Sequence, residues 1–125
     1  LQNWRETNYH KQINKITNFI LIIQNQSILQ VTENRLRKIS RDSKAIKSLL
    51  KITKWNEADA LLEEAGGFVK KARKINDDAQ DLFLNQEVKQ SDSKIESLIK
   101  ESTENITKAY QNFINLGELV NNNPR

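Results

Sequence analysis

One unbroken stripe of small and large apolar residues marks the middle of the chain. Its members recur three and four residues apart, which places them on one face of a single long helix. They are Ala58, Leu61, Ala65, Phe68, Ala72, Ile75, Ala79 and Leu82. Gly66 and Gly67 lie inside the stripe, and its phase is the same on both sides of them. We therefore predict one helix from about Trp55 to Asn85, with both glycines internal to it.

Two further stripes predict helices before this one. The first alternates steps of four and three: Tyr9, Ile13, Ile16, Ile20 and Ile23. Its phase then continues into polar residues, and a second stripe starts out of phase: Leu29, Leu36, Ile39, Ile46 and Leu50. The change of phase predicts a break at Gln24–Ser27, between a helix from about Gln2 to Gln24 and a second helix that ends near Leu50. Without the break, the alternative is a three-helix arrangement with one very long helix.

A fourth stripe predicts the last helix, after a short polar connection at about Gln86–Asp92. Its members are Ile95, Ile99, Ser102, Ile106, Ala109, Phe113, Leu116 and Val120. Four long helices with short connections favour an all-α fold, an antiparallel (up-down-up-down) four-helix bundle. With 125 residues, the chain is predicted to be a single domain over residues 1–125. We expect it to be an excised C-terminal or central domain of a larger protein, because it starts with Leu1.

The composition removes several classes of active site. The chain has one His and no Cys, so thiolate metal sites and disulfides have no residues to form them, and zinc sites are almost excluded. The run Asp77-Asp78-Ala79-Gln80-Asp81 is similar to aspartate-rich motifs that hold magnesium and diphosphate. However, Ala79 belongs to the predicted core stripe and no second motif of this kind occurs, so we interpret the run as a solvated face. We expect no catalytic residue, metal or cofactor, and predict that the domain is not an enzyme.

Positive charge is concentrated around the second stripe. The net charge is +4, and residues 28–53 hold seven basic and two acidic residues. Such a face binds acidic protein surfaces or polysaccharides, or simply keeps a domain soluble. Nucleic acid is not an expected partner, because no aromatic residues are interleaved with the basic ones and no nucleic-acid-binding motif is present.

The start of the third predicted helix resembles a known family. In the segment from Ile52 to Ala65, Trp55 is followed three residues later by Ala58. This Trp-x-x-Ala start is similar to helix starts in outer-surface lipoproteins of Lyme-disease spirochaetes, in the OspE/F-related (Erp/Elp) group. The segment from Lys94 to Leu116 is similar in style, as is the cysteine-free composition rich in Ile, Asn and Lys. The specific match covers about a fifth of the chain.

The resemblance implies a location and a partner. It implies a bacterial surface protein that is anchored in the outer membrane by a lipid outside this segment, and the anchor would be its only membrane contact. Members of the group bind host molecules, and some bind and inhibit proteases of the first complement component without catalysis. On this basis the expected function is immune evasion through the classical pathway. We expect the domain to be monomeric.

We choose the candidate binding residues by their charge and not by correspondence to known residues of the family. Basic side chains can steer a domain to an acidic protease surface. The partner-binding candidates are Arg35, Arg37, Lys38, Arg41, Lys44, Lys70 and Lys71. Two alternatives stay open: an adhesin that binds glycosaminoglycan or extracellular matrix through the same face, and a structural helical domain that self-associates. Steep salt dependence favours the adhesin, and a mass that rises with concentration favours self-association.

Overall fold

The structure is a computed structural model that describes the backbone of residues 2–85 and 91–125, with side chains described from residue 9 in the first helix and from residue 92 in the last. Its elements are α1 (Gln2–Arg41), α2 (Ser43–Ser48), a 3-10 helix (Ile52–Lys54), α3 (Trp55–Leu84) and α4 (Ser91–Asn122). The all-α class is confirmed. The predicted connection at Gln86–Asp92 lies almost entirely outside the described residues.

The predicted break at Gln24–Ser27 is wrong, because α1 is one uninterrupted helix of 40 residues. It is about 60 Å long at 1.5 Å per residue. Asp42 separates α1 from the six residues of α2, but hydrogen bonds of helical spacing continue across it, from Asp42 N to the Lys38 carbonyl and from Ile46 N to the Asp42 carbonyl. The chain turns after α2. An antiparallel bundle of four long helices is therefore not confirmed. Among the described residues the long helices are α1, α3 and α4, as in the three-helix alternative.

The inward-facing stripe of α1 keeps one phase along the helix, and some of its members are polar. Buried and half-buried positions alternate steps of four and three along the helix: Asn18, Ile22, Asn25, Leu29, Thr32, Leu36 and Ile39. Every seventh residue from Asn18 to Thr32 is polar, so apolar residues alone do not reveal the stripe. The predicted stripe from Tyr9 to Ile23 lies on the opposite side of the helix and is exposed.

Three apolar layers form the core and show that α3 runs antiparallel to both α1 and α4. Their buried members are Ile22 with Ala79, Ile95 and Ile99; Leu29 with Ala65, Val69, Ala72, Ile106 and Ala109; and Leu50 with Ala58, Leu116 and Leu119. The apolar stripes predicted for α3 and α4 face these layers. Gly66 and Gly67 are internal to α3, which confirms that prediction.

A polar layer joins all three long helices at Asn25. Its Nδ2 donates to Asn76 Oδ1 at 2.9 Å and to Ser102 Oγ at 2.9 Å. Ser102 Oγ donates to the Ala72 carbonyl at 2.8 Å, and Thr103 Oγ1 donates to Asn25 Oδ1 at 3.1 Å. The buried Asn25 amide is therefore fully hydrogen-bonded. Asn76 Nδ2 is also buried but has no partner among the described residues.

The end of α4 holds the turn that follows α2. Lys51 N donates to the Asn123 carbonyl at 3.0 Å, and Arg125 N donates to the Leu49 carbonyl at 3.1 Å. Trp55 Nε1 donates to the Lys47 carbonyl at 2.9 Å. These bonds replace helical ones where the chain turns. They join the turn after α2 to the end of α4 and to the start of α3.

We expect Asn25→Ala to lower the free energy of unfolding by about 2 kcal/mol, because it leaves the buried Asn76 Oδ1 without its donor and removes the hydrogen bond to the buried Ser102 Oγ. Urea unfolding followed by circular dichroism measures the change. The matched control is Asn34→Ala, an exposed asparagine of the same helix, for which we expect a change within about 0.5 kcal/mol. Equal effects of the two substitutions would show that the polar layer does not stabilise the fold.

We expect Gly67→Ala to raise the free energy of unfolding by about 0.5 to 1 kcal/mol, since glycine is a poor helix former and an added Cβ meets no atom within 4 Å. Gly117→Ala, in an equally open position of α4, is expected to give a similar gain. The two gains should add in the double variant. Thermal unfolding measures all three, and a loss for Gly67→Ala would contradict the expectation.

Candidate functional site

All seven basic candidates are exposed, but they do not form one site. They are distributed over three elements: Arg35, Arg37, Lys38 and Arg41 at the end of α1, Lys44 in α2, and Lys70 and Lys71 in α3. Since α1 packs between α3 and α4, its basic side chains point into the grooves on both of its sides. The α1–α4 groove lies between α1 and α4, and the α1–α3 groove lies between α1 and α3.

The α1–α4 groove combines positive charge with an aromatic floor. It encloses about 300 Å³ and is lined by Arg35, Lys38, Ile39, Tyr110, Phe113 and Ile114. Arg35 Nη1 donates to the Tyr110 hydroxyl at 3.1 Å, and the guanidinium carbon lies 5.5 Å from the centroid of that ring. Phe113 supports Tyr110 edge-to-face at 5.6 Å between ring centroids. Ile114 is 54% exposed at the edge of the groove. The groove therefore offers cations and apolar surface side by side.

The α1–α3 groove brings two of the candidates together. It encloses about 260 Å³, and Arg37 and Lys70 line it from opposite helices. Beneath them, Arg73 Nε donates to Glu33 Oε2 at 3.2 Å, and Arg73 Nη2 donates to Glu33 Oε1. These hydrogen bonds from Arg73 to Glu33 raise the pKa of Arg73 above its ordinary value, although its partial burial opposes the shift. The carboxylate of Glu33 is thus engaged by Arg73, and the charges of Arg37 and Lys70 remain at the surface.

The remaining candidates lie at the margins of the two grooves. Arg41 lines a shallow surface with Arg37, one turn further along α1. Lys44 follows the turn at Asp42, and Lys71 lies next to Lys70 on α3; neither lines either groove. The structure therefore groups Arg35 with Lys38, and Arg37 with both Lys70 and Arg41.

Salt bridges neutralise other basic residues, not the candidates. Lys47 pairs with Asp59 at 2.8 Å, Lys54 pairs with Glu57 at 3.5 Å, and Arg73 pairs with Glu33. In the part of the chain that the structure describes, none of the seven candidates forms a salt bridge with a carboxylate. Their charges are therefore available to a partner.

Sequence reasoning missed the apolar half of the α1–α4 groove. Phe113 and Ile39 belong to the predicted core stripes, whereas Tyr110 and Ile114 were not singled out. The available signal is their spacing: Tyr110 and Ile114 each follow a stripe position, Ala109 or Phe113, by one residue. They widen the apolar face of α4 toward α1.

Comparison with known proteins gives this surface no precedent. No family model matches the chain, and no curated protein or solved structure is significantly similar to it. The resemblance to spirochaete lipoproteins therefore stays a prediction. Over residues 2–85 and 91–125, no helix combines the length and hydropathy of a membrane-spanning segment. Within the same described ranges, no three His, Cys, Asp or Glu side chains are grouped so that they could hold a metal ion.

We expect Glu33→Ala to lower the free energy of unfolding by about 1 kcal/mol, because it removes a two-point contact between half-buried partners. The control is Glu57→Ala, which removes a more exposed pair with Lys54 and is expected to cost close to nothing. Chemical unfolding at low and high salt measures both. A loss at Glu33 no larger than that at Glu57 would contradict this expectation.

Proposed function

We propose that this domain is a non-catalytic, host-protein-binding module of a bacterial surface lipoprotein, and that it binds and inhibits proteases of the first complement component. The protein family and the cell-surface location come from the sequence resemblance alone. A rigid helical scaffold suits such a role because little ordering is needed on binding. The scaffold that we propose is the antiparallel bundle expected from the sequence.

The observation that supports binding is the set of unneutralised cations around the end of α1. Their neighbours Lys47 and Arg73 are held by carboxylates, whereas Arg35, Lys38 and Arg37 are not. A surface of this kind attracts an acidic partner and speeds the encounter.

The aromatic floor of the α1–α4 groove favours a protein partner over a polysaccharide. Arginine and tyrosine are enriched among the residues that dominate protein interfaces, and Arg35 and Tyr110 are in direct contact. Ile114 adds exposed apolar surface beside them. A sulfated polysaccharide needs the cations but gains little from Ile114, so this residue separates the two kinds of partner.

We expect the charge-reversal variant Arg35→Glu/Lys38→Glu to weaken binding to the complement proteases at least about tenfold at physiological salt. Surface plasmon resonance of the domain against the purified proteases and against heparin, at two salt concentrations, measures it. Ile114→Gln is expected to weaken protease binding and to leave heparin binding unchanged.

The charge-matched control is Lys94→Glu/Lys100→Glu on the first turns of α4, which changes the net charge by the same amount. We expect less than about a threefold effect, because neither lysine lines the α1–α4 groove or the α1–α3 groove. Binding to heparin alone, lost at higher salt, would identify an adhesin instead. Equal effects of both charge reversals would show a response to net charge and no defined site.

A further inference from the structure

The outer face of α1 is an exposed apolar stripe with the spacing of a helix–helix seam. Tyr9, Ile13, Ile16, Ile20 and Ile23 are all exposed, between 39% at Ile13 and 64% at Tyr9. They lie opposite the stripe that packs on α3 and α4. Steps of three and four residues are the spacing with which two helices pack along a common line. Isoleucines arranged in this way on the outside of a domain mark an interaction surface.

Three of the five stripe residues, Tyr9, Ile13 and Ile16, lie where α1 extends past the described parts of α3 and α4. Asn18 Nδ2 donates to Asp92 Oδ1 at the start of α4 at 3.0 Å, and Phe19 stacks on Phe83 at the end of α3. The residues of α1 before Asn18 therefore project beyond the described parts of α3 and α4, by about 24 Å at 1.5 Å per residue. A helical segment of this length gains most of its stability from packing. A partner along this segment would stabilise it.

From Ile16 onward, the stripe also lies in a part of the chain without charged residues, in contrast to the rest of the chain. No Asp, Glu, Lys or Arg occurs between Lys15 and Glu33, although 29% of the chain is charged. Depletion of charge is typical of the core of a protein interface. Two copies, each with a net charge of +4, repel each other through the rest of their surfaces. These two faces can meet without placing like charges opposite each other.

We infer that the outer face of α1 docks on the same face of a second copy of this chain, with the two helices antiparallel. With the symmetry axis between Ile16 and Ile20, Ile16 of each copy packs on Ile20 of the other, and Ile13 packs on Ile23. The projecting segment of each copy then lies along the supported part of its partner's α1. In a parallel pair, the two projecting segments would pack only on each other and not on the supported part of the partner's α1.

The size of the surface fits a reversible dimer. The five stripe residues and Phe19 expose roughly 600 Å² per copy, so a symmetric pair buries roughly 1,200 Å², the lower end of specific interfaces. Interfaces at this lower end are typical of weak or transient complexes, so we expect reversible association at roughly micromolar concentrations or above. The monomer expected from the sequence then exists only in dilute solution. This inference does not depend on the proposed function, which uses the other end of α1.

Sedimentation equilibrium of the domain between about 1 and 300 µM tests the docking. The expected result is a rise from the mass of one copy to that of two, and at least a tenfold weakening in Ile16→Gln/Ile20→Gln. Ile114→Gln, a similarly exposed isoleucine of α4, is the matched control and should leave the association unchanged. The circular dichroism spectrum and the unfolding midpoint of each variant show whether it folds.

Disulfide formation tests the orientation, because the chain contains no cysteine. Ile13→Cys and Ile23→Cys are expected to cross-link when mixed, and neither should cross-link with itself. Efficient self-cross-linking of both would overturn the antiparallel arrangement. A single-copy mass at every concentration would overturn the docking itself. So would an association that Ile16→Gln/Ile20→Gln leaves intact, or a monomer that instead floats with neutral phosphatidylcholine vesicles.

Loss of association in Ile16→Gln/Ile20→Gln should leave protease binding unchanged. Conversely, the charge reversal at Arg35 and Lys38 should leave association unchanged. Failure of the inference and failure of the proposed function are therefore measured separately.

Discussion

The hydrogen bonds of Asn25 to Asn76 and Ser102 fix how α1 packs against the other helices. Apolar side chains slide past one another at little cost, whereas these amide and hydroxyl groups meet in one register only. A shift of α1 by one turn, about 5.4 Å, would leave the buried Asn25 Nδ2 and Asn76 Oδ1 without these partners, whereas Ser102 would keep its bond to the Ala72 carbonyl. Polar residues inside helical assemblies specify register in this way, at some cost in stability. Here the cost is visible in the unpartnered Asn76 Nδ2.

Two further asparagines fix the packing of the long helices away from this layer, Asn18 between α1 and α4 and Asn112 between α4 and α3. Asn18 bonds Asp92 where α4 begins, and Asn112 Nδ2 donates to the Leu61 carbonyl at 3.1 Å, which joins α4 to α3 near the other end. Each of these amides is buried, so each bond is expensive to lose. The three helices are therefore held by polar contacts at several levels, with the apolar layers between them.

The sequence predicts α3 and α4 well and α1 poorly, for a physical reason. The stripes of α3 and α4 consist mostly of apolar residues, so helical periodicity is visible directly. In α1, Asn18, Asn25 and Thr32 occupy inward positions because they are hydrogen-bonded, and no pattern of hydropathy identifies a satisfied polar residue. Hydropathy alone therefore identifies the isoleucines on the outer face as the core stripe. It also predicts that a helix ends where this stripe ends, at Ile23.

The candidate surface was predictable only in its charge. Composition places basic residues at the end of α1, and all seven candidates are exposed. How they are grouped depends on which residues of α3 and α4 face α1, and this follows from the register. Arg35 meets Tyr110, and Arg37 meets Lys70 across the other groove, only because Asn25 lies opposite Asn76 and Ser102.

The same register explains why α1 leaves its isoleucines outside. Turning α1 by half a turn would bury Ile20 and Ile23, and burial of each such side chain is worth about 1.5 to 3 kcal/mol. That turn would also place apolar side chains against Asn76 and Ser102, two groups that need hydrogen-bonding partners, and would expose Ile22 and Leu29 in exchange. The polar groups of α3 and α4 thus select the asparagine face of α1, and an apolar face of comparable size remains at the surface. This packing buries the face of α1 that matches the core of the domain. The other face of α1 remains at the surface, where it can contact a partner.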